Sequence, residues 1–376
     1  MENPFVYGEV VSGEQFSNRK KEIQEFLRDM QSGERIFLIS PRRYGKTSLI
    51  MNVLEEIRKK GYLTAYIDLY KAPSLKDLLI QYSKAIASSE TTLERMVKLV
   101  KELLPGLRPK IEVGTDGTPG LSIDYTARDT DMGRMLEEIY DAPENIARKR
   151  GKRFVVVFDE FQEIQNLNGD RLEKAMRASF QHHKRVSYIF AGSKRHLLID
   201  MVTNRNRAFY RMGKIMNLQK LPRSDFYNFL LKKFQDSGFI IENVAMDKIL
   251  NITDEYPYNG QFLCHELWDM NRDTKRITLE GIENALESIL SRESNVYIAL
   301  WDTLSLHQRR LLKAIAAGGG SNIFSREFIQ YYSLGALSSV QTSARLLMKK
   351  EIMDKEGSVY YISDVFFKEW IGRRMR

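Results

Sequence analysis

The sequence predicts an α/β fold: a parallel sheet with helices on both faces, then a smaller helical region and a C-terminal module of three helices and a hairpin. Three observations carry this. Two short apolar runs, residues 36 to 39 and 154 to 158, have the length and composition of strands buried on both faces. Each run is followed by a polar cluster, Gly45-Lys46-Thr47 after the first and Asp159-Glu160 after the second. Open α/β sheets place their ligands at such strand ends. Finally, Pro222-Arg223-Ser224 opens a helical region that reaches about residue 295, and the pattern changes again in the last 80 residues.

The first strand, Ile36-Phe37-Leu38-Ile39, runs into the loop Ser40-Pro41-Arg42-Arg43-Tyr44-Gly45-Lys46-Thr47-Ser48, and Ser48 to Leu54 starts a helix. This is the strand–loop–helix context that a phosphate-binding P-loop needs. Backbone N–H groups around the loop would point at the β-phosphate, and the helix N-terminus adds favourable partial charge. Lys46 would reach the β- and γ-phosphates, and the Thr47 hydroxyl would ligate Mg²⁺. Ser40 stands where the full G-x-x-x-x-G-K-[ST] pattern has its first Gly, and Ser is small enough for a tight turn.

The second strand, Phe154-Val155-Val156-Val157-Phe158, leaves Asp159 and Glu160 at its C-terminal edge. Asp159 fits a residue that holds Mg²⁺ through a water, and Glu160 a base that polarises the attacking water. Val186 to Ala191 is a further strand, and Ser193 at its end is assigned the sensor of the γ-phosphate, against the alternative of an unliganded turn serine. Tyr62 to Leu69 is another strand, whose Asp68 either approaches the Mg²⁺ site or caps a loop.

The remaining elements follow in order. Residues 14 to 30 form an amphipathic helix with Ile23, Phe26, Leu27 and Met30 on one face and Asn18 as N-cap. Phe16 and Arg19 lie where an adenine ring would be covered, or pack as an ordinary helix start. Residues 74 to 104 are helical, and residues 109 to 113 and 121 to 125 pair as a β-hairpin that interrupts the βαβ rhythm as an insertion. Residues 131 to 148 return to helix. Arg205, Arg207 and Arg211 fall in one short stretch, with three readings: an arginine supplied to a neighbour's phosphoryl transfer, phosphate contacts to nucleic acid, or a solvated basic segment. Leu218 to Leu221 is expected as a last short strand. Pro257 opens a helix whose N-terminus would close over a nucleotide.

At the C-terminus, Leu306 to Ala317, Ser325 to Tyr332 and Ser338 to Lys350 are helices, and Ile352 to Ile362 is a hairpin turning at Glu356-Gly357. Three helices and a hairpin make a winged helix-turn-helix, with the third helix as the major-groove reader. Gln341, Thr342, Ser343, Arg345, Lys349 and Lys350 have side chains able to reach DNA. Residues 301 to 376 carry 12 Lys/Arg and seven Asp/Glu, a net of +5. The other reading of this module is a protein–protein contact surface.

Composition bounds the function. The 376 residues imply two or three domains, and 43% hydrophobic with 28% charged residues describes an ordinary globular chain. No apolar run approaches the ~18 residues of a membrane span. Met1-Glu2-Asn3-Pro4 carries no basic-then-apolar signal region, and with one cysteine, Cys264, this places the chain in the cytoplasm. Cys264 reads as a buried core thiol, and the five histidines have no metal spacing; His182 and His183 are adjacent and point to different sides of a helix. The net charge of +9 favours a polyanion partner, nucleic acid first.

The loop P-R-R-Y-G-K-T-S-L resembles the P-R-R-x-G-K-T-S-L loop of the archaeal-type P-loop ATPases. F-S-N-R-K-K-E-I resembles that family's segment before the first strand, V-V-F-D-E-F-Q-E-I its Walker B strand, A-G-S its sensor strand, and I-S-D-V-F-F-K-E-W-I the aspartate-aromatic end of its wing domain. The resemblance implies an AAA+-like, STAND-related ATPase: a P-loop NTPase sheet, a helical lid and a winged helix. It carries Lys46, Thr47, Asp159 and Glu160 across as site residues. Residues 256 to 258 lack an obvious lid arginine.

The expected organisation is a P-loop core at 1–222 with its hairpin insertion at about 108–126, a helical lid at 223–296 and a winged helix at 297–376. The expected function is a Mg²⁺-dependent ATPase switch that moves the winged helix, with double-stranded DNA as partner and oligomerisation open. The alternative is a signalling or scaffold ATPase whose winged helix binds a protein. A chain that binds without hydrolysis is disfavoured by the Asp159-Glu160 pair, and a small-molecule kinase by the winged-helix tail. A guanine-specific N-K-x-D motif is absent, which with the resemblance favours ATP over GTP.

Overall fold

A computed structural model describes residues 2–11, 13–16, 19–103, 107–113, 117–125 and 132–375. They divide into two compact units, one of residues Val10–Lys220 and one of Met1–Glu9 with Leu221–Arg376.

The first unit begins with α1 (Lys20–Ser32), β1 (Arg35–Ile39), α2 (Lys46–Lys59) and β2 (Leu63–Asp68). It continues through α3 (Leu75–Ala87), α4 (Leu93–Leu103), the hairpin of β3 (Leu107–Val113) and β4 (Pro119–Tyr125), and α5 (Met132–Arg150). β5 (Phe154–Asp159), α6 (Gly169–Phe180), β6 (Val186–Gly192), α7 (Arg195–Thr203) and β7 (Lys214–Asn217) complete it. The sheet is parallel throughout, in the order β2-β5-β6-β1-β7. β6 therefore lies between the P-loop strand β1 and the acidic strand β5, and the ends of all three converge on one edge.

Every residue of β5 and β6 is buried, which accounts for their continuous apolar sequence. Phe158 and Phe190 stack with centroids 5.7 Å apart, and Phe161, Phe180 and Phe209 close the same aromatic core. Burying each phenyl ring is worth roughly 1.5–3 kcal/mol, so this face of the sheet is a rigid base for the strand ends.

Two expectations for this unit shift. The last strand is Lys214–Asn217, four residues before Leu218–Leu221. The ladder pairs Ile36–Ile39 with Lys214–Asn217 at the sheet edge, where only Met216 is buried, so the strand has little apolar signal. The first α-helix starts at Lys20, after a 3-10 turn at Gly13–Gln15, and Arg19 precedes it without a capping side-chain hydrogen bond. The expected cap, Asn18, lies outside the described residues. The hairpin occupies the predicted place, although its turn residues 114–116 also lie outside them.

The second unit contains α8 (Arg223–Asp236), β8 (Ile240–Ile241), α9 (Asn243–Thr253), α10 (Pro257–Met270), β9 (Arg276–Ile277) and α11 (Leu279–Asp302). It ends with α12 (Leu306–Gly318), α13 (Arg326–Tyr331), α14 (Leu337–Lys349), β10 (Met353–Glu356), β11 (Val359–Ile362) and α15 (Val365–Arg374). α11 runs unbroken through residues 296 and 297, where the lid was expected to give way to the winged helix. The N-terminal segment joins this unit: Phe5 packs on Phe234 at 4.5 Å, Tyr7 on Phe262 at 4.6 Å, and Asn3 donates to the His265 carbonyl at 3.0 Å.

The winged helix is set by local signals. Ser305 and Gln308 form a capping box on α12, Ser325 caps α13, and Asp364 accepts the Phe366 and Phe367 N–H groups at the start of α15. Val340, Ala344 and Leu347 turn one face of α14 inward. Cys264 is buried, and burial pushes its thiol well above the ordinary range, as expected for a core thiol.

Candidate nucleotide site

The site is built at the C-terminal edge of the sheet, where β1 and α2 are joined by residues 40 to 45. Gly45 sits at φ 79°, a left-handed conformation natural to glycine, and turns the chain into α2 with Lys46 as its first helical residue. Lys46 is buried, and its ammonium forms ion pairs with Asp159 and with Glu160, the latter at 2.9 Å. The Thr47 hydroxyl donates to Asp159 Oδ2 at 2.9 Å. The strand order thus brings together the four residues singled out in the two motifs.

Ser193 joins them, because β6 lies between β1 and β5. Its hydroxyl donates to Glu160 Oε2 at 2.9 Å. The residue before it, Gly192, pairs in register with Ile39, and its carbonyl accepts the Ser40 N–H at 3.2 Å. The first residue of the P-loop is therefore tied to the sensor strand. Ser40 is fully buried, so a small side chain is required where the usual motif has glycine.

Glu160 occupies the left-handed region at φ 50°, which costs a non-glycine residue roughly 1 kcal/mol. Burial alone would raise its carboxyl pKa. The Lys46 ammonium and the hydrogen bonds from Gln162 and Ser193 more than offset this and hold it below the ordinary range. Glu160 is thus held ionised, the form a general base requires.

Two polar neighbours were missed in the sequence. The Tyr66 hydroxyl donates to Asp159 Oδ2 at 2.9 Å. β2 pairs with β5 so that Asp68 lies opposite Asp159, and Tyr66, two residues earlier, shares its face. Period-two alternation along β2 was the available signal, but it needs the register to be read. Asp68 itself caps the turn at residues 69 to 71 by accepting the Tyr70 N–H, the second of its two expected roles. The other missed residue is Gln162, whose amide donates to Glu160 Oε2.

The Thr47 hydroxyl and the Asp159 carboxylate suit Mg²⁺, being hard oxygen donors side by side. No cluster of three or more His, Cys, Asp or Glu able to hold a metal occurs among the described residues.

Other expected contacts have different surroundings. Ser48 spends its hydroxyl on the Val11 N–H at 3.1 Å, so its side chain anchors the incoming chain. Asn52, one turn on, holds the Val11 carbonyl and the Gly13 N–H. Arg19 is 2% exposed, and its guanidinium donates to the Tyr44 carbonyl, the Gln219 carbonyl and Glu22. It braces the P-loop against the segment after β7. Arg42 and Arg43 are exposed, Tyr44 is buried, Pro41 and Phe16 are half-buried, and Pro257 takes the first position of α10 in the second unit.

Arg207 and Arg211 do not join the cluster. They precede β7, whose first residue, Lys214, pairs with Ile36 near the start of β1, whereas the P-loop follows its end. A five-residue strand spans on the order of 15 Å, so these arginines belong to the opposite edge of the sheet. Arg207 is paired with Glu173 and Asp200, and Arg211 is exposed beside the Tyr210 ring at 5.3 Å. Lys174, Arg177, Gln181, Arg205, Arg207 and Tyr210 line a shallow cleft of about 450 Å³ there.

In the proposed reader helix, Gln341, Thr342, Arg345 and Lys349 are exposed. One expected DNA contact is corrected: Ser343 is buried and bonded to His307 Nδ1 at 3.0 Å. Lys350 is exposed and donates to the Thr303 carbonyl at 3.1 Å. Ser343 falls on the α14 face that carries Val340, Ala344 and Leu347 inward.

Residues 16–259 match a family model described as "ATPase domain predominantly from Archaea", and residues 295–373 match one described as "Probable winged helix domain". Among solved structures, the chain is similar to the Walker-type ATPase of Pyrococcus abyssi at 16% identity and a TM-score of 0.68, over 98% of this chain and 99% of that one. It is also similar to the ORC2 protein of Aeropyrum pernix, solved in ADPNP-ADP complexes, at 14% identity and a TM-score of 0.56, over 99% and 98% of the two chains. At such identities the likeness is one of fold. No curated protein matches the chain.

Proposed function

Because the chain belongs to the family of ATPase domains found predominantly in Archaea, we propose that it binds and hydrolyses ATP with Mg²⁺ and uses its nucleotide state to move the winged helix, with double-stranded DNA as partner. The observation that carries the reading is the convergence of Lys46, Thr47, Asp159, Glu160 and Ser193 on one sheet edge through direct hydrogen bonds and ion pairs.

In this reading the main-chain N–H groups of residues 42 to 48 cradle the phosphates, with Ser40 and Pro41 shaping the turn before them, and Lys46 leaves the two carboxylates to reach the β- and γ-phosphates. Thr47 and Asp159 would hold Mg²⁺, which would supply neutralisation of the phosphate charge. Glu160, freed of Lys46, orients the attacking water and accepts its proton. Ser193, already on Glu160, is placed to report the γ-phosphate to the base. Phe16 is assigned to the nucleotide's surroundings, with Arg19 acting through the P-loop it braces. Arg211, and Arg207 once released from its carboxylates, would serve a nucleotide on a second copy of the chain, since their own lies at the far sheet edge. Oligomerisation is part of this reading.

The basic winged helix and the exposed Gln341, Thr342, Arg345 and Lys349 support DNA as the partner. A second reading, a protein partner, is favoured by Leu337 and Leu346, which are 45% and 42% exposed on the same helix. The test is ATP turnover with and without double-stranded DNA, alongside DNA affinity in a salt series. A DNA partner gives an affinity that falls steeply and linearly in log–log form with salt. Affinity that is absent at low salt, or flat with salt, selects the protein partner.

A further inference from the structure

The hydrogen bonds around Glu160 contain one that the phosphate chemistry does not ask for. Gln162 is 3% exposed, within the 3-10 segment Phe161–Leu167 that follows the acidic pair. Its Nε2 donates to Glu160 Oε2, the same oxygen that receives the Ser193 hydroxyl. Its Oε1 is buried with no hydrogen-bond partner among the described residues. The amide orientation is fixed by chemistry, because the reverse would set Oε1 against a carboxylate. A buried amide oxygen without a partner is costly, and a hydrocarbon of the same length would avoid that cost. What the amide supplies is the donor to Glu160.

The neighbouring strand makes room for it. A Cβ added at Gly192 would lie 2.1 Å from Gln162 Oε1 and 2.7 Å from Leu198 Cδ1. Gly192 is part of β6, pairs with Ile39, and holds the Ser40 N–H. The absence of a side chain at residue 192 therefore lets the amide sit beneath the base while the sensor residue next along the chain binds that base from the side.

We propose that Gln162 is a positioning residue for hydrolysis: through Nε2 it fixes the Glu160 carboxylate in the orientation that receives the water proton, and Gly192 is required because it leaves space for that amide. The inference rests on the reading of Glu160 as the base. When Lys46 moves to the phosphates, Glu160 Oε1 loses its donor, and Gln162 and Ser193, both on Oε2, are the contacts that still hold the carboxylate. Gln162 touches neither phosphate nor water in this scheme and acts through Glu160.

The experiment compares steady-state ATP turnover and ATP affinity for the full-length parent, Gln162→Met, Gly192→Ala and the double variant Gly192→Ala/Gln162→Ala, with thermal melting to verify folding. Gln162→Met keeps length and burial and removes the donor together with the unpartnered Oε1. It is expected to lower kcat about tenfold or more while KM and the ATP dissociation constant stay within about twofold. Gly192→Ala is expected to lower kcat similarly by displacing the amide. The double variant should be no worse than Gln162→Met, because the displaced group is gone. If Gln162→Met does not fold, Gly192→Ala reads the same contact from the other side. An active parent with Gln162→Met or Gly192→Ala within twofold of its kcat overturns the inference alone. Equal losses in kcat and affinity also overturn it, as a packing defect. A parent that binds ATP without turnover removes the base assignment and this inference together.

Discussion

His183 is a buried titratable group that precedes β6, at the other end of that strand from Ser193, and its environment sets a pH limit on the first unit. Its Nδ1 meets the Tyr188 hydroxyl at 2.7 Å and its Nε2 meets Asp141 at 3.0 Å. Burial pulls the imidazole below its ordinary value of 6.5, and the hydrogen bond with Asp141 opposes this without overcoming it. The neutral ring is thus the folded form. Its contribution to stability is present above the unfolded value and is lost as the pH falls through 6.5 towards the lower folded value. The melting temperature of the parent should therefore fall more between pH 7.5 and 5.5 than that of His183→Gln, and equal slopes would contradict the assignment. In the nucleotide site, Lys46, Thr47, Asp159 and Glu160 were legible because each lies in a contiguous motif whose spacing is the chemistry. Tyr66 and Gln162 were not, because their contacts depend on the pairing of β2 with β5 and on a glycine of the adjacent strand β6.

At the scale of elements, caps and buried strands were the readable features. The helix start at Ser325 and the hairpin turn at Glu356-Gly357 mark the winged helix in sequence and take those roles in the structure, whereas the Ser305 capping box was not read. Asp364 offers the sharpest test of one such signal, because its carboxylate accepts two N–H groups at the start of α15, at 2.9 and 3.1 Å. Asp364→Ala should destabilise the second unit by about 1–2 kcal/mol, read as a lowered midpoint in denaturant unfolding, whereas Asp364→Asn should retain most of the stability. An unchanged midpoint in the alanine variant would mean that tertiary packing of Phe366, Phe367 and Trp370 alone fixes the helix. The edge strand β7 was misplaced for a complementary reason. K-I-M-N has a single buried residue, and what makes it a strand is the ladder offered by β1. Element identity came from local sequence wherever both faces are buried, and failed where a partner strand supplies the hydrogen bonds.

For the whole molecule, net charge and strand order carry the functional account. The charge of +9 favours a polyanion, and the proposed DNA contact is made by the exposed cations of α14. Arg345→Ala and Lys349→Ala should each weaken double-stranded DNA binding across sequences and reduce the salt slope by about 1, measured by anisotropy over a salt series. Unchanged slopes would move the DNA contact away from α14. No helix among the described residues is long and apolar enough to cross a membrane. The parallel order β2-β5-β6-β1-β7 explains why residues more than 100 positions apart, Lys46 and Asp159, share one cluster. The central claim is that this cluster is a hydrolytic Mg²⁺–ATP site with Glu160 as its base. The most direct test is a paired measurement of ATP binding and ATP turnover for the parent and Glu160→Gln in Mg²⁺. The account predicts that the variant binds ATP as the parent does and turns it over at least about 100-fold more slowly. A variant that hydrolyses ATP at the parent's rate would contradict it.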